Sequence, residues 1–255
     1  IGVARMKNRT GDFDLGYFDL YPAPIWEGMC KLNPAESINS TTPHFGPLLY
    51  TIARAIGAHK VAEIGIAQGY SSGFLAWAVK ENNDRYCAGG RYFGIDISDK
   101  RYLQEEFDKS DLPATFIQHE AGSVDFLQRP ELWPERWGSE TFDLIFIDGL
   151  HQKDYVRREI ELVSPMLKTN GNGYLVLHDV YAFMATLWPE IISQKAPDIK
   201  GVMRPRWEHM RFINNYGLGI LRNMENYDHE KVHWIDGDQT QLGIDQGVLN
   251  SDGSL

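Results

Sequence analysis

Val61-Ala62-Glu63-Ile64-Gly65-Ile66-Ala67-Gln68-Gly69-Tyr70-Ser71-Ser72 decides the fold. Val61 to Ile66 is an apolar run of strand length, and Gly65 to Gly69 supplies a glycine-bearing turn. From Tyr70 to Lys80 the spacing predicts a helix, with Phe74, Leu75, Ala78 and Val79 on one side. Strand, glycine turn and helix together open a nucleotide-type α/β site, with the ligand at the strand's C-terminal end. Glycine suits the turn because the backbone must bend sharply and let a ligand come close. A dinucleotide fingerprint would need glycines at 65, 67 and 70, but Ala67 and Tyr70 stand there. The stretch fits acid-x-Gly-x-x-x-Gly better, as Glu63, Gly65 and Gly69.

Further elements follow in alternation. Upstream, Leu48, Leu49, Ile52, Ala53 and Ile56 mark a helix entered through Thr41 to Pro47, with His44 at its entry and Gly57 as its stop. Downstream, Arg91 to Asp96 reads as a second strand ending in an acid. A polar helix over about 101–109 and a strand over 114–118 come next. Phe142 to Asp148 is apolar on both faces, as a central parallel strand should be. A helix starting at Asp154 presents Val156, Ile160, Val163 and Leu167. Tyr174 to His178 is a fifth strand, followed by a helix over about 183–194 that holds Trp188. Residues 201–203 and 217–221 are candidate last strands. Residues 131–138, with Trp133 and Trp137, read as a short helix or loop on the surface. The alternation predicts an α/β, doubly wound, mostly parallel sheet. Residues 1–40, with aromatics among acids and prolines, read as an arm or lid. Residues 41–222 read as one catalytic domain and 223–255 as an irregular tail.

Composition narrows the classes. Apolar content of 43% and charged content of 24% are those of a soluble globular protein. A formal charge of −10 argues against a large nucleic-acid footprint. No run of eighteen apolar residues predicts a membrane span. Cys30 and Cys87 have neither metal nor redox spacing, which suits reduced thiols in a cytoplasmic protein. The first residue, Ile1, is not methionine, so an excised domain and a trimmed chain are both expected origins.

Four strands end in polar groups: Glu63 with its glycines, Asp96, Asp148, and His178 with Asp179. In an open parallel sheet such ends share one edge, so four separate signals become one expected site. A carboxylate at Asp96 can accept from both hydroxyls of a ribose. Ser123, after the third strand, is a candidate adenine contact. Two carboxylates and an imidazole, Asp148, Asp179 and His178, can bind Mg²⁺, Mn²⁺ or Fe²⁺. Neighbouring side chains on a regular strand point to opposite faces, so His178 and Asp179 can share a cation only if the chain bends there. His151, on the loop after Asp148, is placed to take a proton from an attacking hydroxyl. Tyr155, a helical turn further on, is a candidate for the same pocket.

Glu63-x-Gly65-x-x-x-Gly69, Asp96, Ile147-Asp-Gly-x-His151-x-x-x-Tyr155 and Leu177-His-Asp-Val180 resemble the class I S-adenosylmethionine (SAM) methyltransferases. More narrowly they resemble metal-dependent O-methyltransferases of sugars and other natural products, over about residues 41–221. The resemblance implies a seven-stranded sheet with a reversed last hairpin, and SAM held by Glu63, Gly65 and Asp96. Ala67, Gly69, Ser71 and Asp148 are, with Ser123, further candidate donor contacts. The resemblance also implies a divalent metal at Asp148 and Asp179, with His178 as a further ligand and His151 as general base. The related sugar enzymes carry Glu-Asp where this chain has His178-Asp179, which shifts the expectation from Mg²⁺ toward Mn²⁺ or Fe²⁺. The expected partner is a small-molecule acceptor, with no nucleic acid and no membrane. Related domains of polyketide synthases methylate a carbon of a carrier-bound acyl group, which is the alternative acceptor. A nicotinamide-dependent oxidoreductase on the same architecture and a non-catalytic binding module are the remaining alternatives.

Overall fold

The computed structural model describes residues 45–134, 137, 141–182, 184–212 and 216–229. The expected arm, His44, Cys30 and all of the tail beyond His229 lie outside them. Seven strands form the main sheet, in which the last described strand of the chain pairs antiparallel with both of its neighbours and the other described pairings are parallel. The chain divides into two compact units, Ile1–Ser123 and Val124–Leu255.

The first unit contains α1 (Gly46–Ala55), β1 (Lys60–Ile64), α2 (Tyr70–Tyr86), β2 (Arg91–Asp96), α3 (Arg101–Lys109) and β3 (Ala114–Gln118). Its strands run β3-β2-β1, parallel throughout. Every β1 residue is buried, which explains its unbroken apolar reading and the cost of placing Glu63 there. That cost is offset by three hydroxyls. Ser72 Oγ donates to Glu63 Oε2 at 2.6 Å, and Ser71 and Tyr92 also donate to this carboxylate. Burial, and then the Glu63 charge, push the Tyr92 phenol well above its ordinary pKa, so it stays a donor.

The second unit begins with the rest of α4 (Ser123–Leu127). It continues through β4 (Leu144–Ile147), α5 (Lys153–Val163), β5 (Tyr174–His178) and α6 (Trp188–Ile192). A separate two-stranded ribbon joins β6 (Lys195–Pro197) to β7 (Met203–Pro205). Then come β8 (Trp207–Phe212) and β9 (Leu218–Asn223). The sheet order here is β4-β5-β9-β8. Leu144 to Ile147 are all buried, as are Leu175 to His178.

Three expectations are corrected. The candidate strand at 201–203 contributes to the ribbon, and the sheet's reversed hairpin is β8–β9. The helix expected over 183–194 is confined to Trp188–Ile192. Trp137 is not on the surface. It is 2% exposed and packs edge-on between Phe126 and Phe142, at ring separations of 5.5 and 4.7 Å. Two tryptophans four apart among polar residues do not say which of them is buried, so only the tertiary neighbours reveal it.

Candidate active site

In the first unit the glycine turn is shaped from behind and from the side. Gly65, Ala67 and Gly69 all have positive φ, at 87°, 47° and 81°. Gly69 is doubly required, since a Cβ there would lie 2.7 Å from Leu103 Cδ1. Ala67 holds a left-handed conformation that L-residues seldom adopt, and two groups over-determine it. Asp96 Oδ2 accepts from the Ile66 and Ala67 amides at 2.9 and 3.2 Å, and Lys100 Nζ donates to the Ala67 carbonyl at 2.6 Å. The other Asp96 oxygen accepts from the Ser98 amide and hydroxyl at 2.9 and 2.7 Å. Burial opposes ionisation of Asp96, but these donors and the Lys100 charge outweigh it and hold the carboxyl below the ordinary carboxylate range.

Glu63, Gly65, Ala67, Gly69, Ser71 and Asp96 are thus brought together. Glu63 is fully buried and bonds to Ser71, Ser72 and Tyr92, so in this structure its carboxylate works on the shape of the turn. Ser72, Tyr92 and Lys100 were not anticipated. Lys100, four residues after Asp96, was legible as an i,i+4 pair; the Nζ–Oδ2 distance is 3.5 Å. The other two depend on strand register alone.

In the second unit β4 and β5 end side by side, with Ile147 paired to Leu177. The residues just beyond them converge. Asp179 has φ of 60°, the bend needed for it to share a centre with His178. His178 Nδ1 lies 3.0 Å from Asp148 Oδ1 and 3.2 Å from Asp179 Oδ1. His151 Nε2 lies 3.2 Å from Asp148 Oδ1 and 2.9 Å from Asp179 Oδ2. The side chains of Asp148, His178 and Asp179 are 8%, 6% and 3% exposed, while His151 is 37% exposed and faces solvent. Hydrogen bonds to Asp148 and Asp179 raise the His151 pKa to about 10. Burial works against the charge on His178, yet the same two carboxylates raise its pKa to about 9. Burial also opposes charge on Asp179, but both imidazoles override it and hold the carboxyl far below the ordinary range.

One nitrogen or oxygen from each of these four residues lies within 4.8 Å of all the others. Octahedral bonds of about 2.1 Å place neighbouring ligand atoms about 3 Å apart and opposite ones about 4.2 Å apart. The cluster therefore suits a divalent cation with only slight contraction. Its mixed imidazole and carboxylate donors match Mn²⁺ or Fe²⁺ better than Mg²⁺. Tyr155, in this unit, and Ser123, at the end of the first, are the two remaining predicted site residues. Tyr155 Oη accepts from the Val124 amide at 3.3 Å, which ties the first turn of α4 to α5. Ser123, the first residue of α4, is 8% exposed.

The seven-stranded sheet and the glycine turn have the fold of class I SAM-dependent methyltransferases. Residues 62–180 match the family Methyltransf_24, described as a methyltransferase domain. No curated protein sequence matches the chain. Several solved structures share its fold. An O-methyltransferase from Bacillus cereus with bound S-adenosylhomocysteine (SAH) is 17% identical, with a TM-score of 0.58 over 82% of this chain and 96% of that one. SAH-bound PaMTH1 from Podospora anserina is 16% identical, with a TM-score of 0.56 over 80% and 89%. The SAM complex of TomG, an O-methyltransferase of Streptomyces achromogenes involved in tomaymycin synthesis, is 16% identical, with a TM-score of 0.53 over 83% and 95%. Among the described residues no helix is long and apolar enough to cross a membrane.

Proposed function

We propose that the chain is a metal-assisted O-methyltransferase that moves the methyl group of SAM to a hydroxyl of a polar natural product or sugar. The observation that carries this reading is the convergence of Asp148, His178 and Asp179 with His151 beyond two adjacent strand ends. The names of the Bacillus and Streptomyces proteins support oxygen as the acceptor atom.

Asp148, Asp179 and His178 would hold the metal. When bound, a divalent cation supplies positive charge that lowers the pKa of an acceptor hydroxyl and fixes its oxygen. His151 differs from these three in being exposed, and its Nε2 points at the same carboxylates. In the metal-free protein those carboxylates keep it protonated, so it serves as a base only when their charge is taken up elsewhere. Neutral His151 then accepts the acceptor's proton at Nε2. The acceptor oxygen's electron pair forms the C–O bond as the C–S bond breaks, and SAH leaves. The sulfonium is already activated, so the protein's task is alignment and exclusion of water. In the first unit, the Asp96–Ala67–Lys100 contacts fix the turn that receives the donor's adenosyl part.

The test is metal content on the purified protein, followed by SAM turnover after chelation and reloading with Mg²⁺, Mn²⁺ or Fe²⁺ under anaerobic conditions. The reading expects SAM binding to survive chelation and methyl transfer to depend on Mn²⁺ or Fe²⁺. Undiminished transfer by metal-free protein would overturn the metal, and absence of SAM binding would overturn the whole reading.

A further inference from the structure

Arg211, near the end of β8, is among the described cations of the second unit that have no carboxylate partner. The chain carries 35 acidic side chains against 25 Lys and Arg, so a cation without a carboxylate partner is unusual here. Among the described residues Arg211 nonetheless makes no ion pair and no hydrogen bond. Its guanidinium is held by two rings instead, 4.7 Å from the centre of Tyr181 and 5.3 Å from that of Trp188. These contacts place the guanidinium beside two rings and use none of its N–H donors, which stay available to form a fork.

The platform is built into the fold. Trp207, His209 and Arg211 share one face of β8 by strand alternation. Trp188 of α6 lies on that face: it is 2% exposed and meets the His209 ring edge-on at 5.8 Å. Gly219, the β9 partner of Arg211, leaves room for it, since a Cβ there would lie 2.3 Å from Trp188 Cζ3. Tyr181 is 40% exposed and stands two residues beyond Asp179. Its backbone amide is anchored to the Tyr216 carbonyl at 2.9 Å. The bend that brings Asp179 into the cluster therefore also delivers the ring under Arg211.

We propose that Arg211, clamped by Tyr181 and Trp188, binds a carboxylate or phosphate group of the methyl acceptor, remote from the hydroxyl that is methylated. This rests on the methyltransferase reading above and adds an anionic acceptor class to it. A guanidinium with a free N–H edge forms paired, charge-assisted hydrogen bonds to either oxyanion, and a neutral acceptor would leave those donors unused. Tyr181 and Trp188 are positioning residues for the same group.

The test is equilibrium titration of the manganese-loaded protein, followed by tryptophan fluorescence, with glucuronate, glucose 6-phosphate and glucose. The two charged probes separate a carboxylate from a phosphate, and glucose is the neutral control. Wild type is expected to bind at least one charged probe about tenfold more tightly than glucose. Arg211→Met should abolish that preference, and Arg211→Lys should keep part of it. SAM affinity, measured in parallel, should not change in either variant, which shows that both are folded. Equal binding of all three sugars by wild type, or an undiminished preference in Arg211→Met, overturns the proposal. If SAM fails to bind wild type while the Arg211-dependent preference persists, the anion site stands and the methyltransferase reading falls.

Discussion

His151 Nε2 lies 2.9 Å from Asp179 Oδ2, although the two residues follow different strands and are 28 positions apart in the chain. The contact makes His151 and the Asp148–His178–Asp179 group one electrostatic unit, and it allows His151 to be either a base or a fourth ligand. Replacing it separates the two. His151→Ala should retain stoichiometric metal and lose about 10²- to 10⁴-fold in methyl transfer. Elemental analysis beside a turnover assay decides it: loss of the metal together with the activity would make His151 a ligand.

Asp179 occupies the left-handed region, which asparagine tolerates nearly as well as aspartate. Asp179→Asn should therefore fold, with a melting temperature within a few degrees of wild type by circular dichroism, while metal affinity falls at least tenfold. A variant that keeps both metal and turnover would remove Asp179 from the centre.

Asp96 links the glycine turn to acid stability. Its folded-state pKa is depressed, so its contribution is fully present above the unfolded value and is lost as pH falls through the folded value. The window lies below about pH 4, the ordinary carboxylate range. Asp96→Asn would set an amide group against the Ile66 and Ala67 N–H groups that now donate to the carboxylate. It should cost about 1–3 kcal/mol at neutral pH and flatten the acid limb of the stability curve. Urea unfolding at pH 3 and pH 7 measures both effects, and SAM affinity should fall in parallel.

Gly219 tests the β8–β9 platform from beneath. Its Cβ would collide with Trp188 and also approach Val180 Cγ1 to 2.9 Å. Gly219→Ala should destabilise the protein by about 1–3 kcal/mol through overpacking. It should also shift tryptophan emission as Trp188 moves. An unchanged denaturation midpoint would show that the helix carrying Trp188 yields without cost.

Much of the fold was legible because buried parallel strands advertise themselves. Leu144 to Ile147 and Leu175 to Leu177 are apolar on both faces, and Val61 to Ile64 is interrupted only by Glu63. That exception is itself informative, because a buried acid needs donors close by in space. Glycines at 65 and 69 marked the turn for the same local reason: positive φ and a close neighbour exclude a side chain. The polar residues just past β4 and β5 were legible as a group because strand polarity places such residues at the strands' C-terminal ends.

The sequence by itself determined the alternation of strands and helices, the glycine turn, and which residues stand at strand ends. These follow from backbone sterics and burial, which act over a few neighbouring residues. Only the tertiary structure decided how those residues are used. The left-handed bend at Asp179 turns two strand neighbours toward one centre, and His151 reaches that centre from another loop. Ser71, Ser72 and Tyr92 neutralise the burial of Glu63, while Lys100 and Asp96 hold Ala67 in a conformation its own side chain disfavours. Trp137 and the Tyr181–Arg211–Trp188 stack were hidden altogether. The physical reason is common to all of them: each depends on contacts between residues far apart in the chain, and no local spacing encodes the register and packing that bring them together.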